Sequence, residues 1–524
     1  MAALIPIPTS QKTDAAAPAF SFTEATRLVT LPATRATAEL AAAALAPELG
    51  RELPIAEPVG RAGDIVLELR DPHHAADAPP EAPSAPESYT LTVTGDAVRI
   101  VGADEAGLFY GVQTLVQLVA ASGPEKRLEA TVIDDRPRFA YRGTMLDLAR
   151  HFFGVPVIER HIDHAASLKL NHLHLHLSDD QGWRIQLRSR PKLTELASGT
   201  AAQGDAGGFL SKDDYAHLVE YAAARHLTVV PEIDAPGHTH AVGLAHPELM
   251  EPVVLGDHID EVVAAFGGGA PTAGVPYTGF AVGFSSLKTR DEATYEFLAD
   301  VYGELAAMTP GPYLHVGGDE ALGTDAADYA EFVNRATRLV ANLGKTPIAW
   351  HEAGASADLD DDTIGQYWGL TTPGGGADER ARAFVRNGSQ VILSPADVAY
   401  LDMKYDDADP LGLTWADGPT SVEASYAWEP TAIVDGIDED DILGIEAPLW
   451  TETIRTPTDL DTQVFPRLAS AAEIAWSPAQ GPDRTWASFR ARLAGLGPLW
   501  SRQGIAFFRS PEIDWADDTR GISR

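Results

Sequence analysis

The chain has 524 residues, 45% hydrophobic and 22% charged, enough for a large buried core divided among two or three domains. Lys+Arg 39 against Asp+Glu 76 leave a net charge of −37, which repels phosphate backbones and anionic lipid, so neither nucleic acid nor a membrane is an expected partner. The absence of cysteine excludes disulfides, thiol nucleophiles and Cys-ligated metal or iron–sulfur centres.

Residues 1–20, MAALIPIPTSQKTDAAAPAF, are small, apolar and Pro-containing, which predicts a flexible N-terminal tail. They lack a cationic n-region, and Pro6 and Pro8 interrupt the apolar stretch. No secretory signal is read there, so the expected location is cytoplasmic, with secretion not excluded. Residues 21–135 mix both element types and predict a small α+β domain. Ala36 to Leu45 is Ala-rich and helical, and Asp64 to Arg70 alternates like a half-buried strand. Asp71 to Pro86 reads as an exposed loop. Tyr89–Thr94 and Ala97–Val101 flank Gly95-Asp96 as a hairpin, and helical periodicity runs from Ala103 to Ala121.

After Arg136-Pro137-Arg138 short β-rich runs alternate with helical stretches, the signature of a parallel sheet. Eight strands are expected: 143–148, 171–177, 227–233, 312–316, 347–350, 363–368, 390–393 and 442–450. The fold class is therefore α/β: a TIM (β/α)8 barrel over residues 136–524, preceded by the smaller α+β domain and finished by a closing helix at Trp486–Trp500. A doubly wound sheet is disfavoured because no G-x-G-x-x-G turn follows a first strand. The long segment Leu401 to Asp440 is expected at the mouth of the active site.

Catalytic groups of such barrels sit just past the C-terminal ends of the strands. Reading there yields Asp147, Arg150 and His151, then Asp179 and Asp180, then Asp234 and His238. Asp319-Glu320, Trp350, Glu352, Trp368, Tyr400, Asp402, Trp450 and Glu452 follow. Carboxylates, indoles and one arginine on one rim suit a sugar, whose ring faces stack on aromatics and whose hydroxyls bond to carboxylates. In His315-Val-Gly-Gly-Asp-Glu320, Gly317 and Gly318 can turn the chain out of the ladder so that both acids reach the pocket. Adjacent residues straddle a scissile bond poorly, so one acid donates a proton while its neighbour manages another substrate group. His172, His174 and His176 share one strand face, a pattern that suits either a zinc pair completed by His238 and His240 or structural histidines inside the barrel. A metal would leave the carboxylates and tryptophans without a task, so neither metal nor organic cofactor is expected.

Seven separated blocks resemble family 20 glycoside hydrolases, the β-N-acetylhexosaminidases. They are Arg142–Phe152, Lys169–Arg184, Pro231–His238, His315–Glu320, Ala349–Glu352, Tyr400–Asp402 and Leu449–Glu452. The resemblance runs from about Arg136 to Pro478, and the preceding domain matches more loosely. It implies exo-acting hydrolysis of terminal β-linked GlcNAc or GalNAc, in which the substrate's own acetamido oxygen attacks C1 and forms an oxazolinium ion. By the same resemblance Glu320 is the acid and then the base, Asp319 orients the acetamido group, and Asp179 and His238 form a relay to Glu320. Arg150 would grip ring hydroxyls, Trp350, Trp368 and Trp450 would wall the pocket, Tyr400 would bond the acetamido oxygen, and Asp402 and Glu452 would hold hydroxyls. Arg142 and His151 are expected to be structural. A small-molecule or oligosaccharide substrate is the expected partner, and the oligomeric state is left open. Two rival readings are a retaining glycosidase of other specificity and a non-catalytic carbohydrate-binding barrel.

Overall fold

The structure is a computed structural model that describes residues 4–57, 60–70 and 84–516. The described residues up to 135 build a seven-stranded sheet in the order 10–14, 130–135, 89–93, 97–102, 64–69, 28–29 and 55–56. Tyr89, Leu91 and Val93 alternate inward as the hairpin pattern requires, and the hairpin pairs antiparallel from Tyr89–Gly102 to Val93–Val98. Helices Arg35–Leu49 and Glu105–Ala121 pack on this sheet and on each other. Asp104 starts the second of them by accepting from Gly107 N at 2.8 Å, a side-chain N-cap. Residues 71–83 of the expected exposed loop lie outside the described residues.

One expectation is corrected here. The described part of the stretch read as a flexible tail is built into the domain: Ser10–Asp14 pairs with Ala130–Asp135, and Leu4 and Ile5 are buried. Gln117 holds Ile5 through both backbone groups, accepting from its N at 2.9 Å and donating to its O at 2.7 Å. The anchoring partners are more than a hundred residues away, so local composition carries no trace of them.

The second part is a closed barrel of eight parallel strands: β1 (Tyr141–Asp147), β2 (His172–His176), β3 (Thr228–Glu232), β4 (Tyr313–His315), β5 (Thr346–Trp350), β6 (Ile364–Tyr367), β7 (Val391–Leu393) and β8 (Ile442–Leu449). All eight expected strands are present, each with its ends shifted by no more than a few residues. Every residue of β1 is buried, as expected of strands covered on both faces by helices and barrel interior. The interior is zoned along its axis. Tyr141, Val230, Ile348, Ile364 and Ile392 fill the end where the strands begin. Above them His174, Glu232, His315, Gln366 and Glu446 form a buried polar layer. Met145, Trp350, Tyr400 and Trp450 then make an apolar floor beneath the C-terminal face.

Arg142 and Lys169 join the two parts. Arg142, fully buried, donates to both carboxylate oxygens of Glu87 at 2.8 and 3.0 Å, the forked geometry that suits guanidinium. Lys169 reaches Asp135 at 2.8 Å, and the indole of Trp476 donates to the same carboxylate at 3.0 Å. Helix Trp486–Arg502 also bridges the parts, since Arg502 pairs with Glu48 and Arg492 donates to the carbonyl of Leu4. No helix among the described residues is long and apolar enough to cross a membrane.

Candidate active site

The chain leaves β4 through Val316 and then turns at Gly317 (φ 71°) and Gly318 (φ 107°), conformations that L side chains rarely adopt. A Cβ on Gly317 would lie 1.8 Å from Oδ1 of Asp234. That same oxygen accepts from the N–H of Gly318 at 3.0 Å, so Asp234 fixes the turn. Its consequence is that consecutive residues, which alternate faces on a strand, both reach one imidazole. Nε2 of His238 lies 3.5 Å from Oδ2 of Asp319 and 3.3 Å from Oε2 of Glu320. His238 (φ 55°) and Glu320 (φ 45°) also hold left-handed backbone, strain of the kind that surrounding structure must support.

Behind His238 runs a chain of alternating acids and imidazoles. Asp179 Oδ1 faces Nδ1 of His238 at 3.1 Å, and its Oδ2 takes Nη2 of Arg150 at 2.8 Å and Nε2 of His176 at 2.9 Å. His176 bonds in turn to Glu232, which also accepts from the indole of Trp350 at 2.9 Å and faces Nδ1 of His315 at 3.0 Å. Burial opposes every charge in this chain; the partners outweigh it at Asp179, His238, His176 and Glu232, whereas burial holds the His315 imidazole below its ordinary range. Arg150, His238 and His176 hold the Asp179 carboxyl well below its usual range, and Asp179 and Asp319 hold the His238 imidazolium well above its own. Asp319 goes the other way: burial first, then the neighbouring Glu320, push its carboxyl up against the opposing pull of His238. Asp234 is pushed up further, by burial and by Asp319.

These groups open into a cavity of about 450 Å³ at the C-terminal face, where the barrel architecture places catalysis. Arg150, His238, Asp319, Glu320, Trp368, Tyr400, Trp450 and Glu452 line it, all of them expected from the sequence. Burial and Asp402 push the Tyr400 phenol well above its ordinary value, leaving a neutral donor. The guanidinium of Arg150 also lies 4.7 Å from the ring centre of Trp450, a cation–π contact that fixes both.

Three expected residues do not line this cavity. Asp179 is 1% exposed and acts on it only through Arg150 and His238. Trp350, expected as a wall, is 1% exposed and stands behind Trp450 at a ring separation of 6.1 Å, because Glu232 draws its indole N–H inward. Asp402, expected to hold hydroxyls, is buried among the floor residues with neither carboxyl oxygen hydrogen-bonded, and burial together with Glu452 pushes its pKa well up.

Other residues were missed as site components. Trp415 and Leu413, from the long segment expected at the mouth, form one side of the cavity. Trp415 edges onto Tyr400 and Trp368 at 5.6 and 6.0 Å. It lies in irregular chain without periodicity, so an indole in an overlong loop was its only signal. Opposite it stand Val262, Phe266, Phe280 and Val282, from the segment between β3 and β4. Glu352, which the sequence did place after β5, accepts from the indole of Trp368 at 2.9 Å, and burial and Asp319 push its pKa up to about 8.

Each histidine of β2 has Nδ1 engaged by a protein partner, His172 with Asn171, His174 with Glu446 and His176 with Glu232, and His176 also bonds to Asp179 through Nε2. His240, the other candidate ligand, faces the carbonyl of Val275 at 2.8 Å. Arg184, buried in the same sequence block, donates to five backbone carbonyls and holds the loops after β1 and β2 together.

Comparison with known proteins agrees with this geometry. Residues 139–479 match the catalytic domain of glycosyl hydrolase family 20, and residues 1–136 match domain 2 of that family. A beta-N-acetylhexosaminidase of Cellulomonas fimi is 39% identical over 517 residues, 98% of this chain and 97% of the relative. A solved family 20 beta-N-acetylglucosaminidase is 53% identical with a TM-score of 0.89, covering 98% of this chain and all (100%) of its own. A mutant Streptomyces plicatus beta-hexosaminidase in complex with product GlcNAc is 41% identical with a TM-score of 0.87, over 98% of both chains. Matched along nearly its whole length in sequence and in fold, the chain belongs to glycosyl hydrolase family 20 and is a glycoside hydrolase.

Proposed function

We propose that the protein is an exo-acting β-N-acetylhexosaminidase that removes terminal, non-reducing β-linked GlcNAc or GalNAc by substrate-assisted catalysis. The observation that carries the reading is the convergence of Asp319 and Glu320 on His238 at one cavity edge. Two side-by-side acids cannot flank a glycosidic bond in the manner of an acid and a protein nucleophile held ~5 Å apart on opposite sides. They can serve a substrate that carries its own nucleophile.

In this mechanism the acetamido oxygen attacks C1 while Glu320 gives its proton to the leaving oxygen, so the glycosidic bond breaks as the oxazolinium ring closes. Asp319 accepts from the acetamido N–H and offsets the positive charge developing on the ring. Glu320, now a carboxylate, takes a proton from water as the water attacks C1, and the configuration is retained. His238, held by Asp179, faces the Glu320 carboxyl and steadies its charge through both steps. Arg150 and Glu452 hold ring hydroxyls, Tyr400 donates to the acetamido oxygen, and Trp368 and Trp450 enclose the sugar.

Paired chromogenic substrates test the reading. Cleavage of the β-GlcNAc derivative with no cleavage of the β-glucose derivative is expected, because only the first supplies the nucleophile. A stable thiazoline mimic of the oxazolinium ion is expected to inhibit competitively and tightly. Equal cleavage of both sugars, or a trapped covalent glycosyl-enzyme, would defeat it.

A further inference from the structure

The cavity has two unlike halves. Its charged residues lie at the deep end, whereas the side beyond Glu320 is built almost wholly of carbon. Val262, Phe266, Phe280 and Val282 face Leu413 and Trp415 across the opening, and Thr414 is the only lining residue there with a side-chain oxygen. The apolar surface continues outward. Of the large hydrophobic side chains exposed among the described residues, Phe266 is 54% exposed, Leu255 59% and Leu322 64%, and all three come from the segments around this opening. A patch of this kind contiguous with a site marks binding of something apolar.

The patch is local structure and not a fraying loop. Phe266 ends the helix Asp257–Phe266 and packs on Phe280 with ring centres 5.4 Å apart. Beneath it Ile259, Tyr277, Ala281 and Phe284 form a small buried core of their own. Leu322 follows Glu320 by two residues, and the space beside Gly283 is filled by its side chain and by the carbonyl of Glu320. The collar therefore stands on the exposed flank of Glu320, the side on which a leaving group must lie to receive its proton.

We propose that the leaving-group site takes an apolar aglycone, an alkyl or aryl group, in preference to a second sugar. A sugar ring could lay one face on Trp415, yet of the side chains on this side only Thr414 offers its hydroxyls an oxygen, so most of their lost hydration would go unreplaced. A methylene chain meets carbon on both sides. This inference rests on the proposed function and adds the class of aglycone.

The test compares kcat/KM for hexyl and methyl β-GlcNAc, whose leaving alcohols are of similar acidity, together with chitobiose. Each fully buried methylene is worth roughly fourfold, so the incompletely enclosed hexyl chain is expected to raise kcat/KM about tenfold or more over methyl. In Phe266→Ala and Phe280→Ala the hexyl-to-methyl ratio is expected to fall toward one; the wild-type ratio stands as a test should either variant fold poorly. A wild-type ratio near one, a ratio untouched by both substitutions, or chitobiose preferred to the hexyl glycoside would each overturn the inference. Cleavage of none of the three GlcNAc substrates would instead overturn the proposed function, and the aglycone assignment with it.

Discussion

Gly317 and Asp234 occupy the same space: a single added carbon on the glycine would sit 1.8 Å from the carboxylate oxygen that fixes the following turn. Glycine is required there twice over, by the contact and by its φ of 71°. Gly317→Ala is expected to cost about 2–4 kcal/mol, summing left-handed strain and overpacking, and to lower kcat at least tenfold by moving Asp319 and Glu320. Thermal unfolding and steady-state kinetics check both; a stable variant with unchanged kcat would mean that the turn does not position the acids.

Glu320→Gln is expected to lower turnover by ~10²–10⁴-fold with KM little changed, since it removes proton delivery and little binding. Asp319→Asn is expected to lower it as well, with a larger relative loss on good leaving groups than the acid variant shows. A series of aryl glycosides of graded acidity separates the two roles, and parallel slopes for both variants would contradict the division.

Asp179 holds Arg150 with one oxygen and His238 with the other, so under the proposed mechanism it would tie substrate grip to proton handling. Asp179→Asn is expected to raise KM and lower kcat together. His238→Asn, which leaves Arg150 paired, is expected to act mainly on kcat. Identical effects of the two substitutions on KM would show that the link through Asp179 carries no binding energy.

Glu232 accepts from Trp350 and anchors His176 and His315 in the polar layer. Glu232→Ala strands those imidazoles without their carboxylate and is expected to destabilise the protein by about 3–5 kcal/mol. Denaturant unfolding measures it; a loss below about 1 kcal/mol would show that the layer repacks or hydrates.

The pKa values of Glu352 and Glu452 are pushed up to about 8 and about 7 from an ordinary value of 4.5, so the folded protein holds protons there that the unfolded chain releases. Stability from these groups is complete below about pH 4.5 and is lost as pH rises toward about 8. Glu352→Gln removes one of these protons from the balance, so its melting temperature relative to wild type is expected to be higher at pH 8 than at pH 5. A difference that stays constant across that range would place the Glu352 carboxyl in its ordinary titration range.

The barrel was legible because its strands are short β-rich runs spaced by helical periodicity, and both patterns are local. The acid pair was legible for the same reason, since two glycines before two acids at a strand end is a statement about backbone freedom. Along the rim, Arg150, Trp368, Tyr400, Trp450 and Glu452 followed from strand ends alone, because a parallel barrel gathers those ends on one face. Distance in sequence hid the rest. Leu4 and Ile5 look like loose chain until Gln117 is brought against them. Trp350 ends β5 and Asp402 follows β7, yet whether each side chain faces the cavity depends on packing from other strands, and neither lines it. The aromatic collar of Phe266, Phe280 and Trp415 arises from two chain segments joined only in space, so only the tertiary structure decides what stands on that side of the cavity.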